Sequence, residues 1–107
     1  MAKFMIQASY NSEGAKGVLK AGGAARKAAL ATMIESLGGK LEAFYFAFGE
    51  DDVVLLVDVP DNVSAAAAAM TVAAGGALSR IRTTVLLTSE EIDAAAKKTV
   101  SYAAPGK

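Results

Sequence analysis

The stretch LGGKLEAFYFAFGEDDVVLLVDVPDN, residues 37–62, decides the fold because it predicts two strands joined by a tight acidic turn. If Gly49 pairs with Asp52, three phenylalanines oppose three apolar residues, in the order Phe48, Phe46, Phe44 against Val53, Leu55, Val57. Strand alternation puts a mixed set on the other face: Leu41, Ala43, Tyr45, Ala47, Val54, Leu56 and Asp58. A uniformly apolar face is typical of a sheet covered by helices, so we expect the mixed face to meet something less apolar.

The residues before this stretch predict a strand and then a helix. In residues 2–10 the apolar positions Phe4, Ile6 and Ala8 alternate with Lys3, Met5, Gln7 and Ser9. Asn11 or Ser12 can cap a helix over residues 13–37. Its second part is the better helix and carries one apolar stripe, made of Leu30, Met33, Ile34 and Leu37. Gly38 and Gly39 supply its stop.

The first part of this helix, EGAKGVLKAGG, contains four glycines, each of which costs about 1 kcal/mol relative to alanine. Gly22 and Gly23 are expected to break or kink the helix. Glycine-rich backbone beside cations can receive an anion, and the anion-binding candidates here are Lys16, Lys20 and Arg26. The spacing is not that of a phosphate loop, so we favour the alternative of close backbone packing with solvated cations.

The residues after the hairpin predict a second helix, a fourth strand and a short third helix. Asp61 or Asn62 caps the second helix, whose expected inner face is Val63, Ala67, Met70 and Ala74, and Gly75 and Gly76 end it. Residues 77–87 form the strand, with Ile81, Val85 and Leu87 inward and Arg80, Arg82 and Thr84 opposite. Thr88 and Glu91 form a capping box that opens a helix to about Lys98. Residues 99–107 are expected to be a tail, either frayed or laid against a neighbouring subunit.

Composition limits the possible functions. Lys plus Arg equals Asp plus Glu, 11 against 11, so no basic field indicates a nucleic-acid partner. Cysteine and histidine are both absent, which removes thiol nucleophiles, thiolate metal sites and the usual general base and haem ligand. The sequence shows no bilayer-spanning run and no signal-peptide pattern, and we expect a cytoplasmic location. No cofactor and no membrane partner are predicted.

The order strand, helix, strand, strand, helix, strand predicts an α+β fold, the ferredoxin-like split βαββαβ sheet with both helices on one face. We expect one domain over residues 1–107, with the short C-terminal helix added to that core. The bare sheet face is too apolar to remain in water, so the chain is predicted to bind a second copy of itself, as a homodimer or higher homo-oligomer.

Three stretches carry a resemblance to a known family: QASYNSEGAKGVLK, LGGKLEAFYFAFGEDDVVLLVDVPDN and RTTVLLTSEEI. Over about residues 2–93 the chain resembles the GYD-domain proteins, small bacterial relatives of the dimeric α/β-barrel group. That resemblance implies the fold and a dimeric α/β-barrel assembly, but no established function. The family is named for a Gly-x-Tyr-Asp turn, of which Gly49 and Asp52 match the ends. Asp51 occupies the tyrosine's place, so a role of that tyrosine is not implied here.

Two classes of function are compatible with this sequence. A small-molecule site inside the barrel, possible also for a cofactor-free enzyme, would use Tyr45, Asp58 and Arg82, with a ligand oriented by Gln7, Ser9 and Thr84. Asp58 could act as a base only if burial raised its pKa, and pairing with Arg82 would oppose that. The alternative is a purely structural assembly module in which Asp58 and Arg82 form an ordinary ion pair and Tyr45 fills an interface.

The acidic turn offers a third interpretation. The carboxylates of Glu50, Asp51 and Asp52 could converge on a hard cation such as calcium or magnesium. The turn is much shorter than an EF-hand loop, and charged hairpin tips are usually solvated. No metal site is therefore predicted. Whichever function applies, Gly49 is expected to reject a β-branched residue if its φ is positive.

Overall fold

The chain forms four strands and four helices, and a computed structural model describes all of residues 1–107. The elements are β1 (Ala2–Tyr10), α1 (Ser12–Ala21), α2 (Gly23–Ser36), β2 (Lys40–Phe46), β3 (Val53–Val59), α3 (Asn62–Ala74), β4 (Leu78–Leu86) and α4 (Ser89–Ala96). None of the helices is long and apolar enough to cross a membrane.

The four strands form one antiparallel sheet in the order β2-β3-β1-β4. One face of this sheet contributes to a single core with α2 and α3, made of Phe4, Ile6, Ala8, Leu30, Ile34, Phe44, Val53, Leu55, Val57, Val59, Ala65 and Ala68. These positions alternate along β1 and β3 with less buried ones. The predicted α+β class and the predicted core faces of both strands are confirmed.

The helix boundaries follow from capping side chains and glycines. The side chain of Asn11 accepts a hydrogen bond from the Gly14 N–H, and that of Asp61 accepts one from the Ser64 N–H. Gly22 has φ 90° between α1 and α2, a conformation that L side chains rarely adopt, which confirms the predicted break. The predicted capping box of Thr88 and Glu91 opens α4, which ends at Ala96 rather than near Lys98.

The hairpin register differs from the expected one by two residues. Phe46 pairs with Val53 and Phe44 with Leu55, because residues 47–52 form a longer turn than the sequence suggested. Phe48 therefore lies outside β2 and is fully exposed. A β-bulge between Leu41 and Ala43 moves Leu41 opposite Val57, where it packs against the core instead of lying on the mixed face.

Gly49 does not have a positive φ, so the condition for its expected intolerance of β-branched residues is not met. A Cβ added there would meet no atom within 4 Å. The expectation was conditional on a positive φ at Gly49, and it therefore does not apply to this turn. The turn is stabilised instead by hydrogen bonds from the Ala47 N–H to the Asp52 carbonyl and from the Asp52 N–H to the Ala8 carbonyl.

The predicted inner face of α3 is also wrong. Ala65 and Ala68 are buried, whereas Val63 and Met70 are 77% and 72% exposed, and Ala67 and Ala74 are exposed as well. Placing the smallest side chains inward lets α3 lie close to the sheet, and this turns the larger apolar residues outward.

The residues of β4 that were predicted to face the core also differ in burial. Ile81 packs against the core, and Val85 pairs with the core residue Phe4. Val85 is nevertheless exposed, as is Leu87 beyond the end of the strand. Position on the core side of an edge strand therefore does not guarantee burial here.

The C-terminal residues extend away from the rest of the chain. From Ser89 to Lys107 every residue is exposed except Ala104, and residues 99–107 contain no helix or strand. The Cα radius of gyration is 17.0 Å, with extents of 58 × 33 × 23 Å. A compact chain of this length would have a radius of gyration of about 13 Å. We call residues 89–107 the C-terminal arm.

Candidate functional site

The candidate site is the sheet face opposite the helices, which we call the open face. It carries Lys3, Met5, Gln7 and Ser9 of β1, Ala43 and Tyr45 of β2, Val54, Leu56 and Asp58 of β3, and Arg80, Arg82 and Thr84 of β4. Alternation places these side chains here because their sequence neighbours face the core. The predicted ligand-binding residues Tyr45, Asp58, Arg82, Gln7, Ser9 and Thr84 all lie on the open face.

The strand pairing separates Asp58 from Arg82. Tyr45 pairs with Val54, Val54 with Gln7 and Gln7 with Arg82, so these four residues form one row across the sheet. Asp58 pairs with Lys3 in a different row. Because Lys3 and Gln7 are four residues apart on β1, the two rows are separated by roughly 13 Å.

Asp58 belongs to an ion cluster at one end of the open face. The Lys3 Nζ lies 2.9 Å from the Asp58 Oδ2 and also donates to the Glu42 carboxylate. The hydrogen bond from Lys3 is the main reason that the pKa of Asp58 lies below its usual value. This lowered pKa keeps the carboxylate ionised, so the raised pKa that a general base requires is absent. The other carboxylate oxygen, Oδ1, is shielded from solvent and has no hydrogen-bond partner.

Arg82 belongs to a second ion cluster at the opposite end, built around Asp51. Asp51 is the one buried charged side chain of the chain, 6% exposed. Arg82 donates to its Oδ2, and Arg80 donates to its Oδ1 at 3.2 Å and to the Glu50 carbonyl at 2.8 Å. The hydrogen bond from Arg82 is the main cause of the lowered pKa of Asp51, which Arg80 lowers further.

The acidic turn is occupied by bonds within the chain. Ser9 donates to the Glu50 carbonyl at 2.8 Å, and the Asp52 carboxylate accepts the Tyr10 N–H at 2.9 Å. Asp51 faces the two arginines. The carboxylates of Asp51 and Asp52 are thus directed at different protein groups, and no three acidic side chains are grouped as a cation site would require.

Gln7, Thr84 and Tyr45, the other predicted ligand-binding residues described next, lie in different parts of the open face. Gln7 and Arg82 line a shallow depression of about 310 Å³ beside Asp51 and the turn, and Tyr45 is not among its lining residues. Thr84 pairs with Met5 in the central, apolar part of the open face. Tyr45 is 69% exposed.

Of the three anion-binding candidates, Arg26 lines a groove, whereas the two lysines are exposed. Lys16 is exposed and lies 3.9 Å from Glu13, and Lys20 is exposed on the last turn of α1. Arg26 lines the groove between α1 and α2 and the two depressions next to it. The favoured alternative of close backbone packing is supported at Gly14, where a Cβ would lie 2.1 Å from the Ala77 carbonyl oxygen. A Cβ at Gly23 would lie 2.9 Å from the Phe46 ring, whereas Gly17 and Gly22 have no atom within 4 Å.

Several residues of these clusters were not among the predicted ligand-binding residues. Lys3, Glu42, Asp51 and Arg80 pair through long-range contacts that depend on the strand register. One signal was available for Asp51, since it takes the place of an aromatic residue in the turn motif. A carboxylate in that position, opposite two arginines on one strand face, is a detectable charge pattern.

A comparison with known protein families finds the GYD domain over residues 4–96. The chain belongs to the GYD-domain family. No curated protein matches it. In this GYD-domain chain the departure from the Gly-x-Tyr-Asp turn has a structural explanation, because Asp51 is neutralised by Arg80 and Arg82, while Asp52 binds the Tyr10 N–H. Family membership assigns no reaction to either cluster.

Asp51 gives a testable pH dependence. Its pKa is lowered from the usual 3.8, so in acid the unfolded chain binds the proton at a higher pH than the folded chain. The stability that the carboxylate contributes is therefore present above that usual value and is lost as pH falls through the folded pKa. We expect Asp51→Asn to reduce the free energy of unfolding at pH 7 and to flatten its dependence on pH between about 5 and 2.

Denaturant unfolding at a series of pH values measures this effect. Asp93→Asn, on the exposed surface of α4, is the matched control and should follow the wild-type curve. An Asp51→Asn protein that keeps the full wild-type slope in acid would show that the pKa of Asp51 is not lowered by folding.

Proposed function

We propose that the chain is a ferredoxin-like subunit that self-associates by placing its open face on the open face of a second copy, in the manner of a dimeric α/β barrel. The strand order β2-β3-β1-β4, with the helices packed on one side only, supports the ferredoxin-like description. The observation that carries the proposal is the open face itself. Its centre is apolar, and no element of the chain covers it.

The centre of the open face has the composition of a subunit interface. Met5, Val54 and Leu56 lie side by side on β1 and β3, and Tyr45 stands beside them on β2. Tyrosine and methionine are enriched in the buried centres of interfaces, whereas an uncovered apolar sheet face is uncommon in a monomer. A two-fold related copy would bring the same strip onto itself.

The charges at the two ends do not oppose such a contact. Asp58 already has Lys3 as a partner, and Asp51 already has Arg80 and Arg82. Each of these charges keeps an oppositely charged partner when the face is covered, with one negative charge in excess in the Lys3 cluster and one positive charge in excess in the Asp51 cluster.

The C-terminal arm supports the same proposal. Leu87, just before the arm, and Ile92, Val100 and Tyr102 within it are more than half exposed. An extended arm with apolar side chains cannot bury them on its own chain. A second copy would provide that surface, which agrees with the expectation of a tail laid against a neighbouring subunit.

The proposed function is therefore that of an assembly module. Two facing sheets would enclose the depression beside Gln7, Asp51 and Arg82, which leaves room for a small polar molecule. Tyr45, Asp58 and Arg82 provide no catalytic constellation, because Asp58 and Arg82 lie in separate ion clusters. Nothing in the geometry favours the alternative of a cofactor-free enzyme.

Sedimentation equilibrium at micromolar concentration tests the association. The wild-type chain of 10.9 kDa should sediment at twice that mass or a higher multiple. Leu56→Lys should shift the protein toward the monomer, because each interface would then receive two unpaired ammonium groups. Leu19→Lys is the matched control on α1, where Leu19 is 85% exposed, and it should keep the wild-type mass.

Tyr45→Asp is a second interface variant, which separates loss of association from a folding defect of Leu56→Lys. Its side chain is exposed in the single subunit, so it can be replaced without disturbing the core. Circular dichroism should show the wild-type helix and strand content for this variant, with a loss of association. A wild-type monomer at micromolar concentration, or variants at Leu56 and Tyr45 that associate normally, would rule out the open face as the interface.

A further inference from the structure

β4 lies at one edge of the sheet, and no strand pairs with its outer side. The backbone hydrogen bonds of residues 80–86 are confined to the ladder with β1. This stretch pairs with β1 in one unbroken register, contains no proline and is rich in β-branched residues, namely Ile81, Thr83, Thr84 and Val85. A long, regular edge strand of this composition is the kind that pairs with another chain.

The opposite edge of the sheet, formed by β2, is protected from such pairing. Its ladder is interrupted by the bulge near Leu41, and the exposed Lys40 places a charge at its start. Lysines and bulges are devices by which natural edge strands resist pairing with another chain. β4 has neither between residues 80 and 86, and its two charged residues, Arg80 and Arg82, are already paired with Asp51.

The C-terminal arm contains a segment with the pattern of a strand. In TVSYAA, residues 99–104, the larger apolar side chains Val100 and Tyr102 alternate with small or polar ones. Both are 76% exposed, so nothing in the single chain covers them. Pro105 follows and ends the segment, since proline cannot donate to a ladder. Six extended residues span about 20 Å, which matches β4 from residue 81 to residue 86.

We propose that residues 99–104 of one chain add a strand to the β4 edge of a second copy, antiparallel to β4. Backbone hydrogen bonds hold the added strand, as they do wherever an extended segment lengthens a sheet. A two-fold axis lets each copy donate one arm and accept the other. The inference rests on the self-association proposed above, because it states where the arm of one copy lies on the other.

The alternation of the two strands determines which side chains meet. When Val100 lies opposite Val85, Tyr102 lies beside Thr83 on the core side of the sheet, where Val85 is 57% exposed. Ser101 then points to the side of the open face. The apolar row of the arm therefore covers the uncovered part of β4, and the polar row stays with polar residues.

Charge determines the direction of the added strand. In the antiparallel register Lys97 and Lys98 lie beyond the end of β4, next to the acidic first turn of the second copy's α4, which contains Glu90 and Glu91. A parallel strand would bring the two lysines to the start of β4, near Arg80. Opposite charges favour the first arrangement and like charges oppose the second.

Hydrogen–deuterium exchange followed by mass spectrometry tests the proposal on the full-length protein. At micromolar concentration residues 99–104 should exchange at least tenfold more slowly than an unstructured peptide, and dilution should remove this protection. Val85→Lys should also remove it, because a lysine on an edge strand opposes pairing. Val63→Lys is the matched control, since Val63 is a 77% exposed valine on α3, and it should keep the protection.

Cysteine cross-linking tests the register, because the chain has no cysteine of its own. Val85→Cys and Val100→Cys proteins, refolded as a mixture and oxidised, should give a disulfide-linked species of twice the chain mass. Ser101→Cys in place of Val100→Cys is the control, because its side chain points to the other face and should cross-link at least fivefold less. Equal cross-linking of Val85→Cys alone would show that two β4 strands pair directly, which overturns the proposal.

The remaining outcomes separate the arm contact from the open-face interface. An associated protein with unprotected residues 99–104 overturns the arm contact and leaves the open-face interface standing. Protection that survives dilution, without a cross-link in the mixture, would place the arm on its own chain and also overturns the proposal. An effect of Val63→Lys equal to that of Val85→Lys would place the arm on α3. If Leu56→Lys keeps both the wild-type mass and the protection, the open-face interface fails and the arm contact stands.

Discussion

Gly39→Ala is expected to lower the melting temperature of the protein by roughly 10–20 °C. A Cβ at this position would lie 2.4 Å from the Asp58 carbonyl oxygen, 2.8 Å from the Val59 Cγ1 and 3.1 Å from the Ile34 Cγ2. Val59 and Ile34 are completely buried, and Asp58 belongs to a central strand. None of these neighbours can move without disturbing the core, so we expect a loss of about 3 kcal/mol, the upper end of the range for overpacking.

This result would explain why two glycines follow each other in the stretch Leu37-Gly38-Gly39-Lys40. The two glycines of this stretch serve different purposes. Gly38 has φ 78° and ends α2, whereas Gly39 allows β2 to approach β3 and α2. The cost of Gly39→Ala is therefore steric and does not arise from its backbone dihedral angles.

Gly49→Ala is the control for Gly39→Ala. The same added methyl group meets no atom within 4 Å at position 49, and the φ of Gly49 is not positive. Thermal unfolding followed by circular dichroism should give Gly49→Ala the wild-type melting temperature. A Gly39→Ala protein that melts with the control would contradict the close approach of β2 to β3.

Local patterns were sufficient to predict the faces of the sheet and the ends of most helices. The alternation in β1 and β3 identified which side chains enter the core. Asn11, Asp61 and Thr88 were among the helix-cap candidates because the side-chain oxygen of each can accept a hydrogen bond from the backbone N–H three residues later. These features depend only on residues close in sequence.

The hairpin register could not be obtained in the same way. A slip of two residues keeps every side chain on its own face, so alternation does not distinguish Phe46 opposite Val53 from Phe48 opposite Val53. The length of the turn decides the register, and here it depends on bonds from Asp52 to β1. The bulge near Leu41 likewise leaves no mark in the alternation.

The phase of α3 was missed for a different reason. Alanines fill most of this helix, so almost any choice of face contains an apolar row, and the larger Val63 and Met70 were the natural candidates for burial. The distance between helix and sheet decides against them, since α3 packs through Ala65 and Ala68. That distance is a tertiary property.

The candidate site shows the same division between local and long-range information. Alternation was enough to put Tyr45, Asp58 and Arg82 on one face. It gave no information on their positions along the strands, so it could not show that Asp58 would pair with Lys3 and Arg82 with Asp51. A hypothesis that joins residues across a sheet needs the register as well as the face.

The glycines of α1 provide the second large effect, and it takes opposite signs at two positions of one helix. A Cβ at Gly14 would lie 2.1 Å from the Ala77 carbonyl oxygen and 2.8 Å from the Tyr10 Cδ1. The same carbonyl accepts the Asn11 N–H, so moving it also disturbs the N-cap of α1. We expect Gly14→Ala to destabilise the protein by about 2 kcal/mol, because the steric cost exceeds the gain in helix propensity.

Gly17→Ala should instead stabilise the protein. Gly17 is exposed one turn further along α1, and an added Cβ meets no atom within 4 Å. Replacing glycine by alanine in a helix interior then contributes about 0.5–1 kcal/mol, mainly by restricting the unfolded chain. Thermal and denaturant unfolding of both variants should therefore place the wild-type protein between them. If both substitutions stabilise, α1 does not pack through Gly14; if both destabilise, the space beside Gly17 is not open.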